Sequence, residues 1–376
     1  MHRAANDART GLIWARKGRG KAARALRTLL LSAGSPAAVR ALSPEEAARI
    51  SGEDRSVVAP LLDEDGGREL GEDARKLLDA GARVIFLTDP DYPALLREIH
   101  DPPPVLFARG VALGGAPAIA VVGARRASRA GLDAARVLAA GLAEAGVNVV
   151  SGFARGVDAA AHRAALDAGG QTVAVLGCGI DVCYPPEQKS LLGALLAAGT
   201  ALSEFPIGTE PEPWNFPVRN RIIAGLARIV CVVEAAEKSG SLITARCAMG
   251  YGRDVAAVPG SILSPGATGS NALLKDGAIF VRNADDLLQE LPEEERRRLR
   301  RSIPEREAMA IPPHLSPDAL TLLSGLDADE PRDADTLLAA TGLNAARLSA
   351  ALVHLELEGL VTVLPGALFA RVRAKS

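Results

Sequence analysis

The chain is poor in aromatic residues: Tyr, Trp and Phe together make up 3% of its 376 residues. That excludes a binding surface built mainly of stacked rings. Cysteine is scarce too, and Cys178, Cys183, Cys231 and Cys247 form no C-x-x-C pair. They read as reduced core fillers of a cytosolic protein, not as zinc ligands or disulfides. His2, His100, His162, His314 and His354 are too scattered for a metal cluster, and no group of carboxylates offers a magnesium site. No run of about 18 apolar residues exists, and the N-terminus has no continuous hydrophobic signal core. The G-x-G-x-x-G dinucleotide fingerprint is also missing. A net charge of −2 predicts no partner by itself, so any affinity for a polyanion must come from a local field. The expectation is a soluble, cytoplasmic protein without a cofactor and without a membrane partner.

What is present is organised around residues 118–162. Twice in that stretch a short β-branched run ends in glycine, passes through a loop carrying arginine, and opens a helix. Ile119-Ala120-Val121-Val122 leads into Gly123-Ala124-Arg125-Arg126-Ala127-Ser128. Val147-Asn148-Val149-Val150-Ser151 leads into Gly152-Phe153-Ala154-Arg155-Gly156-Val157-Asp158. Continuous Val/Ile runs mark strands buried on both faces, and loops at their carboxyl ends form the crevice of an open α/β sheet. Glycine admits close approach to backbone N–H groups, a helix start favours an anion, and arginine adds a fork suited to phosphate. These are expected to be two adjacent anion-binding loops; the plainer alternative is a pair of tight turns with solvent-facing arginines.

The alternation continues. Strands are expected at 118–123, 146–151, 172–177, 200–204, 228–234, 254–258 and 278–281, with helices between them, giving a doubly wound, Rossmann-like parallel sheet. Further loops should meet the first two at the same edge. Pro217-Val218-Arg219-Asn220-Arg221 opens a helix with donors for phosphate or a base edge, unless one arginine pairs with Glu204 or Glu234. Lys238-Ser239-Gly240-Ser241 sets a lysine and hydroxyls before another helix start. Gly269-Ser270-Asn271 adds a small-residue loop. Several cationic loops suit an extended phosphodiester better than a single nucleotide.

Around this core, residues 1–75 read as a small helical domain and 76–291 as the main one. A proline-interrupted linker covers 292–312, and 313–376 form a C-terminal domain. Residues 1–40 hold nine Lys/Arg against one acid, a basic face that could touch nucleic acid or simply be a solvated, partly frayed terminus. The last segment shows three helices and a strand pair, the winged-helix order. Residues 316–376 carry eight acids and five Lys/Arg, which argues against a duplex-DNA reader. A protein-contact or dimer-supporting role fits better. Catalysis is harder to assemble. Asp158 and His162, at i and i+4, are either an acid/base pair or a structural set, with Asp158 capping or bracing Arg155 and His162 packed beneath.

Taken together, these motifs resemble the DprA/Smf family of DNA-processing proteins. The resemblance rests on Tyr92-Pro93 with Asp101-Pro102-Pro103, Val122-Gly123-Ala124-Arg125, and Ser151-Gly152-Phe153-Ala154-Arg155-Gly156-Val157-Asp158 with His162. It continues through Gly177-Cys178-Gly179-Ile180-Asp181, Tyr184-Pro185, Pro217-Val218-Arg219-Asn220-Arg221-Ile222-Ile223, Lys238-Ser239-Gly240-Ser241-Leu242-Ile243-Thr244 and Val258-Pro259-Gly260-Ser261. It implies a Rossmann-like core that binds single-stranded DNA without catalysis, homodimerises and loads RecA onto incoming strands in natural transformation. It further implies an N-terminal domain of SAM or helix-hairpin-helix kind and a C-terminal winged helix. Carried over by motif, Arg125 and Lys238 would grip phosphates, with Gly123, Gly152, Arg155, Gly156, Arg219, Asn220, Ser239, Gly240 and Asn271 around them. Ala124 stands where the family often has serine, Phe153 replaces an aliphatic residue and offers a stacking face, and the hairpin sought near Gly18-Arg19-Gly20-Lys21 is degenerate. The rival from another class is a nucleotide-processing, phosphoribohydrolase-like enzyme using the same crevice, with Asp158/His162 or Glu204 acting on a glycosidic bond.

Overall fold

The computed structural model describes residues 2–63, 67–299, 315–326, 331–358, 360–364 and 368–371. The chain divides into two compact units, Met1–Leu299 and Arg300–Ser376. From residue 300 onward the expected linker lies outside the described residues, as does the Pro365-Gly366 turn.

The first unit is built on a nine-stranded sheet. Its strands are β1 (Arg83–Phe86), β2 (Val105–Gly110), β3 (Ala118–Val122), β4 (Asn148–Ser151), β5 (Thr172–Val175), β6 (Thr200–Ser203), β7 (Ile229–Val232), β8 (Asp254–Ala257) and β9 (Ile279–Phe280). Their order is β1-β2-β6-β5-β4-β3-β7-β8-β9. From β6 to β9 every neighbouring pair is parallel. Period-2 alternation explains how both faces are buried. Ile119 and Val121 join the core under helices Arg129–Glu144 and Val157–Asp167, while Ala120 and Val122 face helices Asn215–Leu226 and Ser241–Gly250. Each fully buried Val, Ile or Leu contributes roughly 1.5–3 kcal/mol, which is why these runs specify the sheet.

One strand departs from the βα expectation. Val105–Gly110 pairs antiparallel with β1 and with β6, so the parallel sheet gains an antiparallel extension. Pro102, Pro103 and Pro104 precede it and no crossover helix follows it, so the segment reads as a rigid approach rather than a strand.

Six helices come before β1: His2–Lys17, Lys21–Ala33, Pro36–Arg40, Pro44–Ser51, Arg55–Leu62 and Gly67–Asp79. The Ser43–Glu46 capping box starts the fourth. Trp14 joins these helices to the sheet's outer strands. Its ring meets Phe86 edge-on at 5.4 Å and its Nε1 donates to the Leu61 carbonyl at 2.9 Å. The basic terminus is answered from within. Residues 45–79 hold eleven acids against five Lys/Arg, and Arg16 pairs with Asp73, Lys17 with Asp63 and Arg24 with Glu53.

In the second unit, helices Pro317–Ser324, Ala334–Thr341 and Ala345–Leu357 close over Leu322, Leu337, Leu348 and Leu355. Strands β10 (Arg332–Asp333), β11 (Val361–Leu364) and β12 (Leu368–Arg371) form an antiparallel sheet in the order β10-β12-β11. Three helices with a β-ribbon is the winged-helix arrangement.

Candidate functional site

Beside β3 the chain order reverses: β4, β5 and β6 run off to one side, β7, β8 and β9 to the other. Such a switch point leaves a crevice at the carboxyl ends of the strands. Here it is a hollow of about 240 Å³, with Gly123 and Arg125 on one bank and Asn220, Ser239, Gly240 and Ser241 on the other.

The two glycine loops expected to bind anions already hold carboxylates of the protein. Glu234 Oε1 accepts from the Ser128 N–H at 2.9 Å and Oε2 from its hydroxyl, at the start of Arg129–Glu144. Asp158 Oδ2 accepts from the N–H groups of Gly152 at 3.1 Å and Ala154 at 3.3 Å, at the start of Val157–Asp167. The glycines serve this packing. A Cβ on Gly152 would sit 2.7 Å from Asp158 Oδ2 and 2.8 Å from an Arg219 nitrogen. Gly156 has φ +77°, and a Cβ there would meet the Ala124 carbonyl at 2.2 Å. The same carbonyl accepts the Val157 N–H at 3.2 Å and ties the loops together.

The cations divide accordingly. Arg219, expected to face phosphate, is 3% exposed and donates to the Gly152 carbonyl at 2.5 Å and to the Val175 carbonyl. Burial lowers its pKa to about 10 against the opposing pull of Asp158, and burial raises the Asp158 carboxyl despite Arg219. Arg219 is thus an internal strut. Arg155 stands at the surface in an ion pair with Glu187, and not with Asp158 as the brace reading had it. Arg221 supplies the acid pairing by binding Glu204. Asn220 Nδ2 donates to the Gly240 carbonyl at 3.2 Å and fixes the far bank. Asn271 clasps Gly260 through both its amide atoms at 3.0 Å and is not part of the hollow's lining. Arg125 and Lys238 are exposed. The Lys238 loop leads into Ser241–Gly250, where Ser239 and Ser241 share a hydroxyl hydrogen bond of 2.7 Å.

Phe153 does not offer a stacking face. It is 1% exposed at φ +55° and packs against His162, ring centroids 5.8 Å apart. The aromatic surface lies where sequence reasoning did not look. Phe216 is half-buried under the Arg125 guanidinium at 4.9 Å and lies 5.6 Å from the Tyr184 ring, and Trp214 is 64% exposed. In a chain so short of aromatics, the cluster Pro213-Trp214-Asn215-Phe216-Pro217 was the available signal.

His162 is fully buried. Its Nδ1 meets the Thr172 hydroxyl at 2.7 Å and burial lowers its pKa to about 3. Asp158 is committed to backbone amides, so the two do not form an acid/base pair with each other. Among the described residues no group of three His, Cys, Asp or Glu is placed to hold a metal, and no single helix is long and apolar enough to cross a membrane.

Comparison with known proteins now decides the family. The model of DNA recombination-mediator protein A matches residues 83–292, and that of the DprA winged helix domain matches residues 306–367. Protein Smf of Synechocystis sp. is 37% identical over 318 residues, which is 76% of this chain and 80% of that one. The chain belongs to the DprA/Smf family. DNA processing protein DprA of Streptococcus pneumoniae is 46% identical over 205 residues, 54% of this chain and 72% of its own. The X-ray structure of the S. pneumoniae protein superposes with a TM-score of 0.67 at 37% identity, covering 75% of this chain and 98% of that one. The Helicobacter pylori DNA processing protein A, described for its single-stranded DNA binding mode, gives a TM-score of 0.50 at 28% identity over 55% of this chain and 93% of its own. In the second unit the cation on the third helix of the winged helix is paired. Arg347, the arginine of its third helix, is held by Asp318 through two hydrogen bonds, one of 2.7 Å.

Proposed function

We propose that the rim at the β3/β7 switch point holds single-stranded DNA through its phosphates without turning it over. In the same reading the protein acts as a cytoplasmic homodimer in natural transformation, protects incoming strands and passes them to RecA. The observation that carries the single-strand reading is the difference among the helix starts after β3, β4 and β7. Glu234 fills the first and Asp158 the second, whereas the third brings Ser239 and Ser241 to the hollow that Arg125 also lines, with Lys238 exposed in the loop just before them. A phosphate at that start would gain the helix dipole and two cations. Phe216 beneath Arg125 supplies a ring beside it, the combination of cationic groove and stacking face that unpaired strands favour. The Helicobacter relative's single-strand binding mode and the family's description as recombination mediators support the strand and its transfer to RecA.

A salt titration of the full chain with single-stranded and duplex oligonucleotides tests it. Single strands should bind more tightly, stoichiometrically and without released product. Lys238→Ala and Arg125→Ala should each weaken binding by roughly five- to tenfold and lower the log–log salt slope by about 0.7, one phosphate contact apiece. An unchanged slope removes that residue from the phosphate contacts. Equal duplex affinity, or turnover of the nucleotide, overturns the reading.

A further inference from the structure

A second hollow of about 280 Å³ opens where β6 ends. Glu204 and Phe205, which follow β6, Val105, which starts β2, and Trp14 of the first helix line it. Gly18, Arg19 and Gly20, between the first two helices, and Trp214 line it as well. The sequence motif Gly18-Arg19-Gly20 thus lies at the carboxyl edge of the sheet, in line with the loops of the first hollow.

Two features point to an occupant. The first is Trp214 itself. The chain's other tryptophan, Trp14, is 1% exposed, whereas Trp214 leaves 64% of its surface to solvent and has Val218, 46% exposed, one helical turn on. The second is continuity. The start of helix Asn215–Leu226 separates the two hollows: Pro213, Phe216 and Asn220 line the first, Trp214, Val218 and Arg221 the second. A strand leaving Phe216 therefore reaches Trp214 by crossing a single turn of helix. The charges along this crossing suit a polyanion. Arg221 holds Glu204 through one carboxylate oxygen and lies 3.6 Å from Asp101, while Arg19 stands exposed at the mouth.

We propose that this hollow is a second nucleotide subsite, in which the Trp214 indole stacks on a base and Arg19 meets the adjoining phosphate of a strand already held at the switch point. The subsite rests on the single-strand reading of that rim. It makes the N-terminal helices part of the binding path through the loop after the first helix, although Arg16, Lys17 and Arg24 on those helices are each held by an acid. Because stacking accepts every base, the subsite should lengthen the footprint without adding sequence preference.

Intrinsic fluorescence of the full chain titrated with oligo(dT) of increasing length tests this directly. Trp14, buried with its indole N–H on the Leu61 carbonyl, also lines this hollow, so the quenching that Trp214→Phe removes is the part that reports Trp214. Affinity should rise with length and quenching should appear only with the longer oligonucleotides. Trp214→Ala should abolish the length increment, about a tenfold loss for long strands, and leave short ones unchanged. Trp214→Phe should keep most of the increment, and Arg19→Ala should lower the salt slope for long strands only. Tight binding without quenching, a Trp214→Ala variant with the wild-type length dependence, or a Trp214→Phe variant as weak as Trp214→Ala overturns the subsite and leaves the rim reading standing. Failure of the wild type to bind any single strand overturns both.

Discussion

The loops after β3 and β4 and the loop after β7 follow one recipe: a buried strand, a glycine-bearing turn with a cation, and a helix start. They differ in what answers the helix start. In the first two a carboxylate of the protein sits on the N–H groups, brought from 106 residues away in the case of Glu234 and from the next helix turn in the case of Asp158. In the third, Ser239 and Ser241 line the hollow and Lys238, next in sequence, is exposed. The same local pattern therefore serves two purposes. Two loops are closed, rigid walls and one is an open bank. A glycine and an arginine in sequence signal the turn, but only the burial of the neighbouring acid tells which purpose it serves.

The hardest blow to this contrast is Asp158→Ala. It strips Arg219 of its opposing charge inside the protein and frees the Gly152 and Ala154 amides at once. Leaving a buried donor without its acceptor costs about 1–3 kcal/mol. The loss should appear in urea unfolding of the first unit, before any oligonucleotide is added. A cost under about 1 kcal/mol would mean that the second loop is not closed by this carboxylate and is as open as the third.

Much of the framework was legible because buried Val/Ile runs such as Ile229-Val230-Cys231-Val232 tolerate no other placement. Three features were not. β2 is a strand only because β1 and β6 flank it, and β6 comes about ninety residues later in the chain; the prolines before it disguise the pairing. Arg219 looks like a surface cation until the carbonyls of Gly152 and Val175, 67 and 44 residues away, close around it. Phe153 and Phe216 exchange the roles that position suggests, because φ +55° turns the first ring into the core and the helix start leaves the second at the rim. In each case a partner distant in sequence decides between alternatives that local chemistry leaves equal.

Acid should loosen the closed side selectively. His162 lies under the β4 loop, fully buried against Phe153, with its pKa lowered by burial from the ordinary 6.5 to about 3. A group whose folded pKa is depressed lends stability that is complete above the unfolded value and is lost as pH falls toward the folded one. Between pH 7 and pH 5 the first unit should therefore lose about 2 kcal/mol on this account. Urea midpoints of wild type and His162→Gln at the two pH values measure it. The variant should be less stable at pH 7 yet show a smaller fall on acidification. An equal fall in both would place the acid sensitivity elsewhere and leave the β4 loop no more sensitive to acid than the open one.

The smallest expected effect tests the boundary between walls and bank. Arg155 leaves the closed β4 loop and stands at the surface, yet Glu187 holds it and raises its pKa further. Both side chains are about half exposed, so the pair is screened and adds little to folding. Its consequence lies in binding: while Glu187 holds the guanidinium, a phosphate must compete for it. Glu187→Ala should therefore tighten single-strand binding, roughly two- to threefold, and steepen the salt slope by about 0.7 as Arg155 gains a phosphate of its own. The urea midpoint should stay where it was. If affinity falls instead, Glu187 positions Arg155 rather than competing for it, and the pair belongs to the wall. If neither affinity nor slope moves, the strand does not pass Arg155, and the binding surface is confined to Arg125, Phe216 and the Lys238 loop.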